Sequence, residues 1–221
     1  SVAQNYTQLI SQTKFSKRIA VAQDEAFHFY YAANLEWLRQ QGVEIVSFSP
    51  LHDSKVPENV DALLLGGGFP EVFAEKISAN NSMLSSLKQT VESGMPTYAE
   101  CGGLMILAES IKLLSGQSLA MAGVVPGIVE MTQRLQHFGY CKIDLPGKGE
   151  MRGHEFHYSE WSAETSKANL WDVTRHSTDI PRREGFRTAN LHASYVHLYF
   201  PQAASLIGEV LRIFPNEFPK C

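Results

Sequence analysis

Cys101 is followed at once by Gly102 and Gly103. The short run Thr97–Ala99 before it reads as a strand, and the apolar residues from Leu104 to Leu107 and onward read as a helix. A strand that turns sharply into a helix needs residues without a Cβ, because the backbone folds back on itself. Nucleophile elbows of hydrolases use this geometry to lift a reactive side chain above a sheet. The free N–H groups of a helix start also favour the thiolate. Cys101 is therefore a candidate nucleophile, with a small buried hydrophobe as the plain alternative. Cys141, in the alternating run Phe138–Ile143, reads as a packing residue, and Cys221 as a terminal residue without a role.

Gly66-Gly-Gly68, continuing into Phe69-Pro-Glu71, is the second signal. It follows the apolar run Asp61–Leu65. Such a loop lies at the carboxyl ends of the strands of a doubly wound sheet, beside the turn that carries Cys101. It suits a phosphate cradle or a donor of N–H bonds to an oxyanion, or it is a tight loop without chemistry. No Gly-x-x-x-x-Gly-Lys-[Ser/Thr] or Gly-x-Gly-x-x-Gly pattern occurs, so nucleotide binding is poorly supported.

A thiol nucleophile needs a base, and eight histidines are available. His197 sits late in the strand-like run His192–Phe200, just ahead of a helix, at a sheet edge. His192 is its nearest rival. His154 and His157 flank Glu155 at a spacing of three, but no HExxH pattern or further ligand set accompanies them, so no metal is expected. His28, His52, His137 and His176 read as surface or loop residues.

The elements that must position these groups fall into two halves. Arg18–Ala22, Glu44–Phe48, Asp61–Leu65 and Thr97–Ala99 read as strands. Helical patterns cover Tyr30–Gln41, Pro70–Ala79 and Ser82–Glu92, and another begins at Leu104. Strand then helix, four times over, predicts a parallel sheet covered on both faces. The second half reads as shorter strands at Gly123–Ile128, Leu135–Asp144, Glu155–Trp161, Leu170–Val173 and Arg187–Leu191. The run His192–Phe200 and a last helix, Gln202–Ile213, follow. One α/β domain over 18–221 is expected, with residues 1–17 as a linker or the tail of a preceding domain.

Composition narrows the function. The chain has 221 residues, 44% hydrophobic and 19% charged, with a net charge of −4. These values fit a globular protein and argue against nucleic acid or an anionic membrane as the main partner. The weakly polar stretch Leu119–Met131 is too short for a bilayer span and is broken by Gly123, Pro126 and Gly127. Three widely spaced cysteines predict neither a disulfide framework nor a zinc site, so a reducing cytoplasm is the expected location.

Seven ordered segments carry a resemblance: Asp24–Tyr31, Phe48–Pro50, Gly66–Glu71, Tyr98–Met105, Arg134–Tyr140, Arg152–Ser159 and Ser194–His197. From about Arg18 to about Phe200 the chain resembles the C-terminal glutamine amidotransferase domain of the cobyrinic acid a,c-diamide synthases. The resemblance implies a three-layer, flavodoxin-like class I glutamine amidotransferase fold. It implies hydrolysis of L-glutamine, with the ammonia used for ATP-dependent amidation of a corrinoid in cobalamin biosynthesis. It makes Cys101 the nucleophile and His197 its activator, with Gly68 and Gly102 as oxyanion donors. Beside the resemblance, Glu100 and the Gly153–Phe156 segment, with His154 and Glu155, are candidate substrate-binding residues.

Two departures follow. Many class I amidotransferases carry a Glu two residues after the His, and here that position is Tyr199, which implies a dyad. The family's N-terminal synthetase domain, which would bind ATP and Mg²⁺, is also missing. The chain, which lacks an initial Met, is therefore expected to be a piece of something longer or a stand-alone relative. Two rival readings stay open. One is another Cys-dependent hydrolase or peptidase on the same turn; the other is a non-catalytic domain that docks on a synthetase subunit.

Overall fold

The runs Ile19–Ala22 and Ala62–Leu65 are apolar on both faces, and that is why they sit in the centre of the molecule. The computed structural model describes residues 17–145, 149–162, 169–175 and 180–214. The expectations for residues 1–16, His176 and Cys221 lie outside these. Strands β1 (Lys17–Ala22), β2 (Val43–Phe48), β3 (Ala62–Leu65) and β4 (Thr97–Glu100) are separated by α1 (Ala32–Gln40), a 3-10 turn at Pro70–Phe73, α2 (Ala74–Ala79) and α3 (Asn81–Glu92). Helix α4 (Gly102–Leu107) follows β4.

The second half adds β5 (Ser110–Lys112), β6 (Ser118–Ala120), β7 (Ile128–Met131), β8 (His137–Leu145), β9 (Gly149–His157) and β10 (Ser159–Ser162). Strands β11 (Trp171–Arg175), β12 (Pro181–Glu184), β13 (Phe186–Arg187), β14 (Leu191–Ser194) and β15 (His197–Leu198) follow, then α5 (Ala204–Val210). The main sheet runs in the order β13-β14-β4-β3-β1-β2 and is parallel except for the β13–β14 pair. A five-stranded antiparallel sheet has the order β12-β11-β8-β9-β15, and a four-stranded one the order β10-β7-β5-β6.

Alternation along the central strands divides the core in two. Ala20, Ala22, Leu63, Leu65 and Ala99 face α2, α3 and α4, with Ile77, Leu87 and Leu104 against them. Ile19, Val21, Leu64 and Tyr98 face the other way, onto Leu38 of α1, Leu206 of α5, and Ile143 and Trp171 of the antiparallel sheet. Three layers result, as expected.

The second half departs from its sequence reading in several places. Residues 123–127 are not strand: the Ala122, Gly123, Val124 and Val125 N–H groups donate to carbonyls of Ile106, Leu107 and Ala108, so this segment caps the end of α4. That helix stops at Leu107, and the following residues form the β5–β6 hairpin instead of more helix. Strand β9 starts at Gly149, ahead of the expected Glu155, and pairs along its whole length with β8. Pro181–Glu184, too polar to read as a strand, pairs with β11. The last helix is shorter than expected. The run His192–Phe200 is not one strand: β14 belongs to the main sheet and β15 to the antiparallel one.

Candidate active site

The turn after β4 is as sharp as the glycines require. Cys101 has φ 50° and ψ −104°, a left-handed backbone that a residue with a Cβ adopts only under strain. Its N–H donates to the Ser194 carbonyl at 2.7 Å, which ties the turn to the end of β14. Gly103 packs so closely that a Cβ would stand 2.2 Å from the Leu65 carbonyl oxygen. The turn is thus locked from both neighbouring strands, and the strain is held by the sheet.

His197 is delivered by the change of sheet after Ser194. Glu184, fully enclosed, bends the chain there: its carboxylate accepts from Ser194 Oγ, from the Tyr195 N–H and from Trp171 Nε1. The Ser194 hydroxyl in turn accepts from the Val196 N–H at 2.9 Å. Tyr195 lies flat on His157 at 4.0 Å and its hydroxyl pairs with Ser159. Beyond β15, Asn34 of α1 donates to the Leu198 carbonyl and accepts from the Phe200 N–H. Sequence reasoning missed Glu184 and Asn34. Asn34 was legible as a polar residue on an otherwise apolar helix face; Glu184 lies in the charged run Arg182-Arg183-Glu184 and gave no signal.

The imidazole of His197 packs against Glu100, Phe29 and Cys101. Glu100 Oε1 lies 3.2 Å from Nδ1, Phe29 stands edge-on at 5.0 Å, and the Cys101 side chain faces the ring. Burial alone would lower the pKa of His197. The neighbouring Cys101 side chain, followed by the Glu100 carboxylate, outweighs burial and pushes it up to about 10. The arrangement favours the imidazolium form of His197 beside the Cys101 sulfur. His192 is no rival: it is buried on the opposite side of the main sheet, stacked on Tyr98, and burial lowers its pKa to about 3.

The glycine loop closes the site from the third side. A Cβ on Gly67 would stand 2.5 Å from His197 Cε1, and one on Gly68 would stand 1.9 Å from the Ala26 carbonyl oxygen. The Gly66 N–H is taken by the Tyr30 hydroxyl at 3.0 Å. A loop so filled on its inner side has no room to wrap a phosphate. Asp24 holds the facing segment through the N–H groups of Ala26, Phe27 and Leu51 and the Ser49 hydroxyl. This is the physical tie between the first two of the seven sequence segments. Gly68 lines the Cys101 cavity, and its nitrogen lies 3.3 Å from where a Gly102 Cβ would be. Gly102 opens α4, so its N–H is among the first-turn donors that no helix carbonyl reaches.

Cys101 opens onto a cavity of about 290 Å³ lined by Phe29, Gly68, Phe69, His154, Phe156 and His197. That is near the low end of the roughly 300–1,000 Å³ typical of small-molecule sites. A larger groove of about 770 Å³ adjoins it across His154 and His197 and is lined by Tyr31, Tyr140, Arg152 and Tyr199.

The candidate substrate-binding residues separate. His154 faces the cavity, with Nδ1 buried and unpaired. Glu155, next in the strand, points to the opposite face, where it pairs with Arg182 and His157. Glu100 is directed at His197 and Tyr98, not at the cavity. His154 and His157 leave opposite faces of β9 and do not converge on a common ligand. His28 and His52 are exposed, as read, and His52 pairs with Glu25. His137 opens β8 and is half-buried, not fully exposed: it lies against His157, and burial followed by Arg182 lowers its pKa to about 4. Cys141 is buried, and burial raises its thiol to about 12.

Residues 18–205 match the CobB/CobQ-like glutamine amidotransferase domain. The chain is 45% identical over 188 residues to a cobyrinate a,c-diamide synthase of Caldanaerobacter subterraneus, covering 82% of this chain and 41% of that protein. It is 41% identical over 206 residues to the one from Dehalococcoides mccartyi, covering 89% and 44%. The chain thus spans about two fifths of the length of these relatives. Among solved structures, a glutamine amidotransferase superposes with a TM-score of 0.62 at 18% identity, over 88% of this chain and 98% of that one. PurLQS of Thermotoga maritima superposes at 0.56 with 16% identity, over 89% and 94%. The structural likeness carries the fold, and the sequence matches carry the family: this chain belongs to the CobB/CobQ-like glutamine amidotransferase domains.

Proposed function

We propose that this chain hydrolyses glutamine to glutamate and ammonia at Cys101, and that the ammonia serves the a,c-diamidation of cobyrinic acid. The observation that carries the reading is Cys101 on a strained strand–helix turn, facing a buried imidazole at the wall of a small cavity. The Cys101 thiolate attacks the side-chain amide carbon of glutamine. The Gly68 and Gly102 N–H groups receive the oxyanion, each worth roughly 3 kcal/mol in the transition state. His197 holds the thiol proton and hands it to the departing ammonia. Water then cleaves the glutamyl thioester, and the proton it loses returns to His197.

His154, which lines both the cavity and the adjoining groove, is the substrate-binding candidate the geometry supports. Glu155 holds the wall from behind. The amidation half needs a carboxylate activated by ATP and Mg²⁺. The Gly66–Gly68 loop, filled by Tyr30, His197 and Ala26, offers no phosphate cradle, so we assign that half to a synthetase domain outside this chain. A reducing cytoplasm suits a thiol nucleophile. Among the described residues no helix is long and apolar enough to cross a membrane.

Incubation with glutamine is expected to yield glutamate and ammonia in equal amounts, and Cys101→Ala to reduce the yield to background. Undiminished release from Cys101→Ala would remove Cys101 from the reaction.

A further inference from the structure

Residue 199, two positions after the base, is Tyr199, half-exposed at the larger groove. The Nδ1 of His197 nevertheless has a carboxylate on it. The geometry points to Glu100 as the positioning residue of His197: a third member of the catalytic set, supplied by the strand that carries the nucleophile instead of the strand that carries the base. This rests on the reading of Cys101 and His197 as nucleophile and base.

Three observations converge. The first is contact: Glu100 Oε1 is 3.2 Å from His197 Nδ1, and both side chains are almost wholly buried. The second is anchorage. The other oxygen, Oε2, accepts from the Tyr98 hydroxyl at 3.0 Å. Tyr98 is itself held between the rings of His192 and Phe200. The carboxylate is therefore fixed from behind and is not free to turn toward substrate.

The third is charge. Among the described residues no lysine or arginine pairs with Glu100. A buried carboxylate without a counter-charge is costly, and here the imidazolium is the group that supplies it. Cys101, Glu100 and His154, whose ring is 6.4 Å away, are the titratable groups that face His197.

The chemistry follows. An Nδ1–H held on Glu100 fixes the tautomer and leaves the Nε2 lone pair for the thiol. The thiol proton moves to Nε2 and later leaves with ammonia, while the Nδ1 proton stays on the ring throughout. Register explains the reach: Glu100 and Ser194 are partners across the β4–β14 pair. The bend held by Glu184 brings the residue three positions past Ser194 back over the end of β4.

The test reads the ring itself. In Cys101→Ala the thiol charge is gone, and His197 is followed by NMR of ring-labelled histidine across pH. It is expected to titrate above 6.5, and at least one pH unit above its value in Cys101→Ala/Glu100→Gln. Equal titration in the two would overturn the proposal. In the active chain, Glu100→Gln is expected to lower glutamate release by about 10² to 10⁴-fold with KM little changed. Glu100→Asp should restore part of it, and wild-type turnover in Glu100→Gln would count against the role. Should Glu100→Gln fail to fold, the Cys101→Ala titration decides alone, because burial without a carboxylate partner places His197 below 6.5. A chain that released no glutamate would contradict the proposed function, while the ring titration would still decide this point.

Discussion

Cys101 and His197 meet at one cavity but are placed by opposite means. Cys101 is set by a few consecutive residues: a buried strand, a strained turn and two glycines, with the strand on either side as a wall. His197 is set by groups distant in sequence. Glu100 is 97 positions away, Asn34 more than 160, and Glu184 acts through a bend that moves the chain from one sheet to another. The two halves differ in their interiors to match. The parallel half has an apolar core with few buried charges. The antiparallel half buries Glu155, Glu184 and His157 together with the stem of Arg182. The placement of Cys101 therefore depends on backbone sterics, and that of His197 on a polar network whose members fail if one partner is removed.

The largest effect separates strain from chemistry at the turn. Cys101→Gly and Cys101→Ala should both lose activity entirely. Because φ at this position is positive, Cys101→Gly should be the more stable of the two by about 1 kcal/mol in denaturant titration. An Ala variant as stable as the Gly one would mean that the turn stores no strain.

Next is the ionic interior of the other half. Arg182→Met leaves Glu155 buried without its cation, and about 3–5 kcal/mol of stability should go with it. Burial pushes Glu155 up, but His157 and Arg182 outweigh it and hold its pKa at about 2. A carboxylate lowered on folding stabilises the fold above its unfolded value of 4.5, and that contribution is lost as pH falls toward 2. Wild type should therefore weaken steeply across this acid window, and Arg182→Met should show a flatter profile there.

Gly67→Ala places a methyl where the His197 ring stands. A drop of about 10²-fold in turnover is expected, as for an angstrom-scale displacement of a reacting group. Stability should change less than activity. A variant with full activity would show that the ring has room to move. The smallest effect belongs to Glu184→Gln, which keeps the shape but presents an amide to three donors. A loss of about 1–3 kcal/mol is expected, with activity falling through the position of His197 and not through Cys101 alkylation by a small electrophile.

What was legible follows the same division. The strands and helices of the first half were read within a few residues, because buried parallel strands announce themselves as unbroken apolar runs and helices as a repeat near 3.6. Cys101 and the Gly66–Gly68 loop came from that reading of strand, glycine and helix, and Gly68 and Gly102 as oxyanion donors from the family resemblance. His197 was singled out within a strand that does not exist as one piece. Nothing in Ser194–Phe200 shows that Glu184 interrupts the ladder at Tyr195. Strand β12 was invisible because its buried surface is a carboxylate and the stem of an arginine. Glu155 was assigned to the substrate side although strand alternation places it opposite His154, and Glu100 was assigned there because a partner 97 positions away leaves no local trace.

The central claim is that Cys101 is a thiol poised for the side-chain amide of glutamine. Mass spectrometry after exposure to a glutamine-like chloroketone tests it without a partner domain or turnover. One adduct on Cys101, slowed by free glutamine and absent from Cys101→Ala, is the expected result. Labelling that ignores glutamine, or that falls on Cys141 while Cys101 stays unmodified, would contradict it.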